Sequence, residues 1–264
     1  MPRVIHRAVP ERKTWNMRKT ILLYALMACM YSFAQESLND RYMYIYYNDR
    51  TVERILISEI DSIKFTEPAT PDTGIYEAID LGLSVKWAAH NVGATKPEEY
   101  GGYYAWGETE EKSEYTWGNY KWCDGSYDTL TKYCTGSSYG IVDNKTELDP
   151  EDDVAHRKWG GSWRMPTTAE QQELIEKCTW EWTKLNGVKG RKVTGPNGNS
   201  IFLPAAGYRD GVEVYNKSYY SYYWQGTLDG NYPFNTHYMY FCSEVKNVRN
   251  GYRNYGMPVR PVCE

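Results

Sequence analysis

The stretch Trp159-Gly-Gly-Ser-Trp163-Arg-Met-Pro-Thr167-Thr-Ala-Glu170 constrains the fold more than any other. Gly160 and Gly161 form a tight turn, and Trp163 is expected to point inward. Pro166 stops any earlier helix from running on, because its ring fixes φ and removes an N–H. Thr167 then stands as a helix N-cap with Glu170 three positions later. In that arrangement hydroxyl and carboxylate each satisfy an orphan N–H of the first turn. Leu174, Ile175 and Cys178 recur at helical spacing, which predicts one main helix over about 167–178 docking a single face. The flanks read as strands and turns, so the fold class is α+β with twisted antiparallel sheets around one helix.

Upstream, residues 42–47 are strand-like, Asn48-Asp49 is a turn, and 51–57 is a second strand. Ile60, Ile63 and Phe65 suggest a third. Residues 35–67 are thus an N-terminal β-hairpin extension, and the Pro- and Thr-rich 68–74 is a linker. One domain follows over 75–264. Its expected parts begin with two strands bent at Gly82 and a strand over 103–108. A long surface excursion over 109–150 follows, then a short acidic helix start over 149–156. Turns at Asn186-Gly187 and Pro196-Asn-Gly198 define a three-stranded meander. Strands over 219–224, 237–242 and 257–262 close the chain.

Arg18-Lys19, the apolar run 20–30 and the small residues Ser32 and Ala34 read as a secretory signal cleaved before Gln35, with translation starting at Met17. The rival readings are lipid attachment at Cys29, in the loose lipobox Leu26-Met-Ala-Cys29, and a single membrane anchor, for which the run is short. The expected location is the cell surface or the extracellular space, with the periplasm as alternative. Six of the 30 Lys and Arg and one of the 34 acids fall in residues 1–34, which leaves 24 and 33 and a net charge of −9 beyond them. That balance disfavours nucleic acid, whose phosphates need clustered positive charge. Five cysteines remain beyond residue 34, an odd number, and none forms a C-x-x-C. Zinc ribbons and thioredoxin-type sites are disfavoured. Cys123 and Cys134 are the easiest local pair in an oxidising compartment.

Seven ordered blocks carry a family likeness: Ile79-Asp-Leu-Gly-Leu-Ser-Val-Lys-Trp87, Asn91-Val-Gly-Ala94, Tyr103-Tyr-Ala-Trp-Gly-Glu108, Trp159-Gly-Gly-Ser-Trp-Arg-Met-Pro-Thr167, Leu203-Pro-Ala-Ala-Gly-Tyr208, Tyr222-Tyr-Trp224 and Val259-Arg-Pro-Val262. Over about 75–264 the chain resembles the Fibrobacter succinogenes major paralogous domain family of exported bacterial proteins. The resemblance implies a C-type-lectin-like fold, the broad scaffold also used by formylglycine-generating enzymes and by retroelement-diversified proteins. It implies a surface location and names no ligand.

Lectins that hold sugar through calcium carry Glu-Pro-Asn or Gln-Pro-Asp with Trp-Asn-Asp, and none of these occurs here. Asp149, Glu151, Asp152 and Asp153 are the one acidic run suited to calcium. The reading therefore calls for no cofactor, with calcium at that run as the exception. His90, His156 and His237 sit in no nucleophile motif. Glu98 with Glu99, and Glu108 with Glu110 and Glu111, are the carboxylates that glycoside chemistry would pair. An enzyme on a formylglycine-generating-like scaffold ranks last, and no catalytic residue is expected. Between Tyr215 and Tyr255 lie ten tyrosines and six asparagines, a composition suited to rigid amphipathic contact with adaptable hydrogen bonds. Strand parity assigns Tyr219 and Tyr223 outward, opposite the face of Trp224, and places Tyr238 and Tyr240 opposite Met239 and Phe241. With Asn247, Arg249, Asn250, Tyr252, Asn254 and Tyr255 they form the expected ligand-binding face for a protein or glycan partner. The rival function is a structural pilus or surface-layer accessory in which 42–65 donates strands to a neighbour.

Overall fold

The computed structural model describes residues 21–22, 42–47, 52–56 and 76–264, and the chain divides into two units, 1–67 and 68–264. The expected third N-terminal strand and the linker lie outside the described residues. In the first unit β1 (Ile21–Leu22), β2 (Tyr42–Tyr47) and β3 (Val52–Leu56) form an antiparallel sheet in that order.

The second unit is built of antiparallel sheets with two α-helices among the described residues. β4 (Ala78–Ile79) and β5 (Lys86–Ala88) flank the bend at Gly82, whose φ of 73° suits glycine. α1 (Val154–Trp159) starts at Asp153, whose carboxylate is the N-cap and accepts from Ala155 and His156. α2 (Thr168–Lys177) carries the full capping box between Thr167 and Glu170. Arg164 grips the same Glu170 carboxylate at 2.6 and 2.8 Å.

The meander is β6 (Thr179–Leu185), β7 (Val188–Thr194) and β8 (Ser200–Pro204). A hairpin of β9 (Tyr208–Asp210) and β10 (Glu213–Tyr215) follows. Then come β11 (Ser221–Leu228), β12 (Asn235–Phe241) and β13 (Lys246–Tyr252), paired in sequence order. β14 (Val262–Cys263) pairs with β5.

Apolar side chains fill two cores. In the first, Leu174 and Ile175 of α2 meet Val193, Ile201 and Leu203 of the meander and Tyr223, Met239 and Phe241 of the β11–β13 sheet. The second gathers Trp106, Tyr133, Trp159, Met165, Trp224 and Val259. Its indoles are satisfied: Trp106 Nε1 donates to the Gln225 carbonyl and Trp224 Nε1 to the Tyr104 carbonyl, both at 2.8 Å.

Two guanidiniums lie wholly inside, each spread over main-chain carbonyls. Arg260 bonds Asn91 Oδ1 and the carbonyls of Ala88, Ala89 and Phe202, and burial pushes its pKa down to about 10, so it stays charged at neutral pH. Arg253 bonds the carbonyls of Trp122, Lys132, Tyr133 and Pro233. The five donors of a guanidinium let one side chain cross-link segments far apart in sequence.

Several expectations change. The 109–150 segment is not a surface excursion, because Tyr115, Leu130 and Tyr133 within it are wholly buried and Arg253 gathers its carbonyls. Cys123 and Cys134 are free thiols: Cys123 Sγ lies 3.2 Å from the Trp117 carbonyl and Cys134 Sγ 3.2 Å from that of Gly136. Residues 104–108 are buried and Tyr103 half-buried, but no strand forms: the segment has one β-bridge, Tyr104 with Met257, and a bond from Trp106 N–H to the Arg253 carbonyl. Trp163 is half-buried, and Trp159 is the tryptophan that goes into the core. The closing strand is limited to Val262–Cys263, while the β9–β10 hairpin and β13 are additional to the expected elements.

Candidate binding face

Register decides which side chains share a face of the β11–β13 sheet. Tyr222 pairs with Tyr240, and Tyr240 with Asn247; Trp224 pairs with Tyr238, and Tyr238 with Arg249. Side chains at paired positions point to the same side. One side therefore carries Tyr222, Tyr238, Tyr240, Asn247 and Arg249. The other carries Tyr223, Met239, Phe241 and Val248, and packs into the first core.

On the outer side the rings form a continuous belt. Tyr222 lies 5.4 Å from Tyr240 and 5.6 Å from Tyr238 between ring centres. Tyr220 stacks on Tyr240 at 5.8 Å. The β9–β10 hairpin extends the belt, because Tyr208 sits 4.8 Å from Tyr222, 5.6 Å from Tyr215 and 5.3 Å from Tyr255. Tyr255 leads to Tyr252 at 5.6 Å, and Tyr252 to Trp117 and Phe234 at 6.0 and 6.1 Å. Phe234 in turn contacts Tyr127, Tyr139 and Tyr232. Such tilted and offset pairs each add modest attraction beyond area burial and hold the rings in place. Tyr127, Tyr215, Tyr220, Tyr232 and Tyr252 are exposed, Tyr208, Tyr222, Tyr238 and Tyr255 are half-buried against the second core, and Tyr240 is buried.

Polar groups on the belt are few. The Arg249 guanidinium lies 3.9 Å over the Tyr240 ring, and its Nε donates to Asn247 Oδ1. Asn216 Nδ2 donates to the Tyr222 hydroxyl at 2.8 Å. Burial raises the phenol pKa of Tyr208, Tyr222, Tyr238 and Tyr240. Tyr255 is pushed up to about 12 by burial and by the nearby Asp210 carboxylate. These hydroxyls are therefore neutral, and both donate and accept, throughout the physiological range.

The structure thus brings Tyr238, Asn247, Arg249 and Tyr255 together. It takes six expected residues elsewhere. Tyr240 is buried at 7 % exposure beneath Arg249 and Tyr220. Tyr252 is exposed, but it alternates with Gly251, which faces Tyr238, and so stands on the Asn250 side of β13. Tyr223 is wholly buried, its hydroxyl donating to the Pro204 carbonyl and accepting from Asn91. Asn254 is buried at 3 % exposure. Asn250 falls on the opposite side from Arg249 and bonds Asp229, whose other oxygen holds the loop at Asn231 and Tyr232. Tyr219 is exposed, with the Lys189 ammonium as its ring partner. Tyr208, Tyr215 and Tyr222 are the contributors the sequence reading missed. For Tyr222 parity pointed inward, because it shares its side of β11 with the core residue Trp224.

The other candidates are committed elsewhere. Lys132 and Lys145 neutralise Asp149, Lys132 and Lys121 bond Asp152 together with the Tyr133 hydroxyl, and Asp153 caps α1 while accepting from Met165 N–H. Ammonium groups occupying those carboxylates do not suit a calcium cage. Glu98 accepts from Asn186, Glu99 from Thr95, Glu108 from Lys112, Glu110 from Lys158 and Glu111 from Tyr103 N–H. An open cleft of about 620 Å³ lies on the meander, with Glu77, Ile79, Thr183, Lys192 and Phe202 in its lining and none of the belt tyrosines.

The architecture defines an α+β protein with a solvent-facing aromatic sheet surface. No family model, curated protein or solved structure matches this chain.

Proposed function

We propose that the chain is an exported cell-surface binding module of C-type-lectin-like type, not an enzyme, that engages a protein or glycan through the tyrosine belt. The observation that carries the reading is the run of ring contacts that joins Tyr238 and Tyr222, on the outer side of the β11–β13 sheet, to Tyr208 and Tyr255 beside it. A protein that lines one surface with rigid aromatic rings and few charges exposes the kind of patch that marks binding sites. The seven sequence blocks and the antiparallel sheets around α2 support the lectin-like assignment. Export rests on the basic and apolar sequence ahead of Gln35, and N-terminal sequencing of the secreted protein should begin there.

The test is a glycan and protein array probed with the chain and with a Tyr208→Ala, Tyr222→Ala, Tyr255→Ala variant. Binding lost in a folded variant supports the belt. Binding retained sends the site elsewhere, with the meander cleft as the next candidate. A second reading, strand donation within a pilus or surface layer, is favoured by β3, which lies at the edge of the first unit's sheet. Size-exclusion with and without residues 35–67 separates the two: a concentration-dependent oligomer lost on truncation favours assembly.

A further inference from the structure

We infer that the tyrosine belt is a docking track for a neutral, linear, soluble glycan chain, an inference that rests on the binding function proposed above and names its ligand class. Three features of the belt point there. Its length matters first. Half-buried Tyr238, Tyr222, Tyr208 and Tyr255 follow one another at 4.8 to 5.6 Å between ring centres, with the exposed Tyr215 beside Tyr208. A track of several such rings suits a ligand of repeating units, each laid against one ring. A small ligand would ask instead for an enclosed pocket.

Charge comes second. The belt's polar groups are phenol hydroxyls and the amides of Asn216 and Asn247. The one cation on that sheet face, Arg249, lies over the Tyr240 ring and donates to Asn247; it keeps its charge, but it is a single guanidinium. Beyond burial, the Asp210 carboxylate is close enough to raise the phenol pKa of Tyr208 and Tyr255, and it disfavours anions at those two rings. The chain's net charge is negative as well. A polyanion finds no cluster of cations here. Sugar hydroxyls, which both donate and accept, match phenols and amides that do the same.

Third is the geometry of sheet and rings. The belt lies on a sheet face, where the main-chain N–H and C=O groups are used in the β-ladders. A sugar chain needs only ring faces and side-chain polar groups, whereas a polypeptide would pair along the edge that β13 leaves beside the belt, the alternative that the peptide arm of the titration tests. The ring planes also turn by 53–60° along Tyr238, Tyr222, Tyr208 and Tyr255. A staircase of turned rings fits a chain whose units rotate. It does not fit the flat face of an insoluble fibre.

The experiment is isothermal titration of the full chain with xylo-, manno-, cello- and malto-oligosaccharides of increasing length, beside polygalacturonate and a proline-rich peptide. At least one neutral series should bind, with affinity rising with length until the belt is covered. Tyr222→Ala and Tyr255→Ala should each weaken it about tenfold, the scale of one stacked ring. Tyr215→Ala, at an exposed position that supports no core, serves where the others fail to fold. Affinity for the neutral chain should change less than about twofold between about 0.05 and 0.5 M salt. Tighter binding of polygalacturonate or of the peptide, lost in the same variants, overturns the ligand class and leaves the face standing. Neutral-glycan binding unchanged in all three variants overturns the belt as the track. No binding to any of these ligands overturns the inference outright.

Discussion

On the helix side of the β11–β13 sheet, Tyr223 is wholly buried against Phe241, stacked at 5.9 Å, with its hydroxyl on the Pro204 carbonyl. On the solvent side, Tyr222 meets Tyr208, Tyr238, Tyr240 and Asn216, packs one edge against the second core, and stays half-buried. The two residues are neighbours in sequence and identical in chemistry. What separates them is what lies opposite: α2 and the meander cover one side, and a short hairpin of three-residue strands flanks the other. Tyrosine on the inner side is packing with one satisfied hydroxyl. On the outer side it is a ring and a hydroxyl left for a partner.

Substitutions sharpen that contrast. The largest loss is expected from the inner side. Phe241→Ala should lower stability by about 3–5 kcal/mol, read as a fall in the urea midpoint, because the cavity opens in a core fixed from three directions. Arg260→Leu should cost a similar amount, about 3–5 kcal/mol, since Asn91 and three carbonyls lose their donors together. Arg260→Lys should not recover it, because a point ammonium does not reproduce the fork. A Lys variant as stable as the parent would show that the guanidinium geometry is not what holds the 88–91 segment to β8.

Smaller effects come from the frame beneath the sheet. Thr167→Ala should cost about 1 kcal/mol through the lost cap of α2. Burial raises the Glu170 carboxyl, but the Arg164 bonds and the Thr167 N–H outweigh it and hold the pKa below its ordinary 4.5. A depressed folded pKa means the stabilisation is complete above the unfolded value and is lost as pH falls through the folded one. Acid titration of stability in Glu170→Gln should therefore be flatter below about pH 4.5 than in the parent. The smallest effect belongs to the outer side: Tyr215→Ala should change stability by less than about 0.5 kcal/mol while weakening binding. A stability loss there matching that of Phe241→Ala would erase the distinction between the sides.

Local signals were the legible ones. The capping box of α2 and the Asn-Gly turn of the meander depend on neighbours a few residues apart, so Thr167, Glu170, Asn186 and Gly187 announced themselves. β13 did not, because Asn247, Arg249, Asn250 and Gly251 are poor strand formers. It is a strand because all seven residues pair with β12. The 109–150 segment reads as surface for the same reason: its order depends on Arg253, some 120 positions from the carbonyls it binds at Lys132 and Tyr133. Parity placed Tyr222 and Tyr223 on opposite sides correctly. It failed in deciding which side was outside, because Trp224 is buried by the second core although it shares the parity of the solvent face.

The most direct test is tyrosine-ring NMR of the selectively ¹³C-labelled protein, titrated with the tightest-binding oligosaccharide. The account predicts shifts for Tyr208, Tyr222, Tyr238 and Tyr255, with Tyr223 and Tyr133 unmoved. Shifts confined to rings outside the belt, or spread equally over the buried tyrosines, would contradict it.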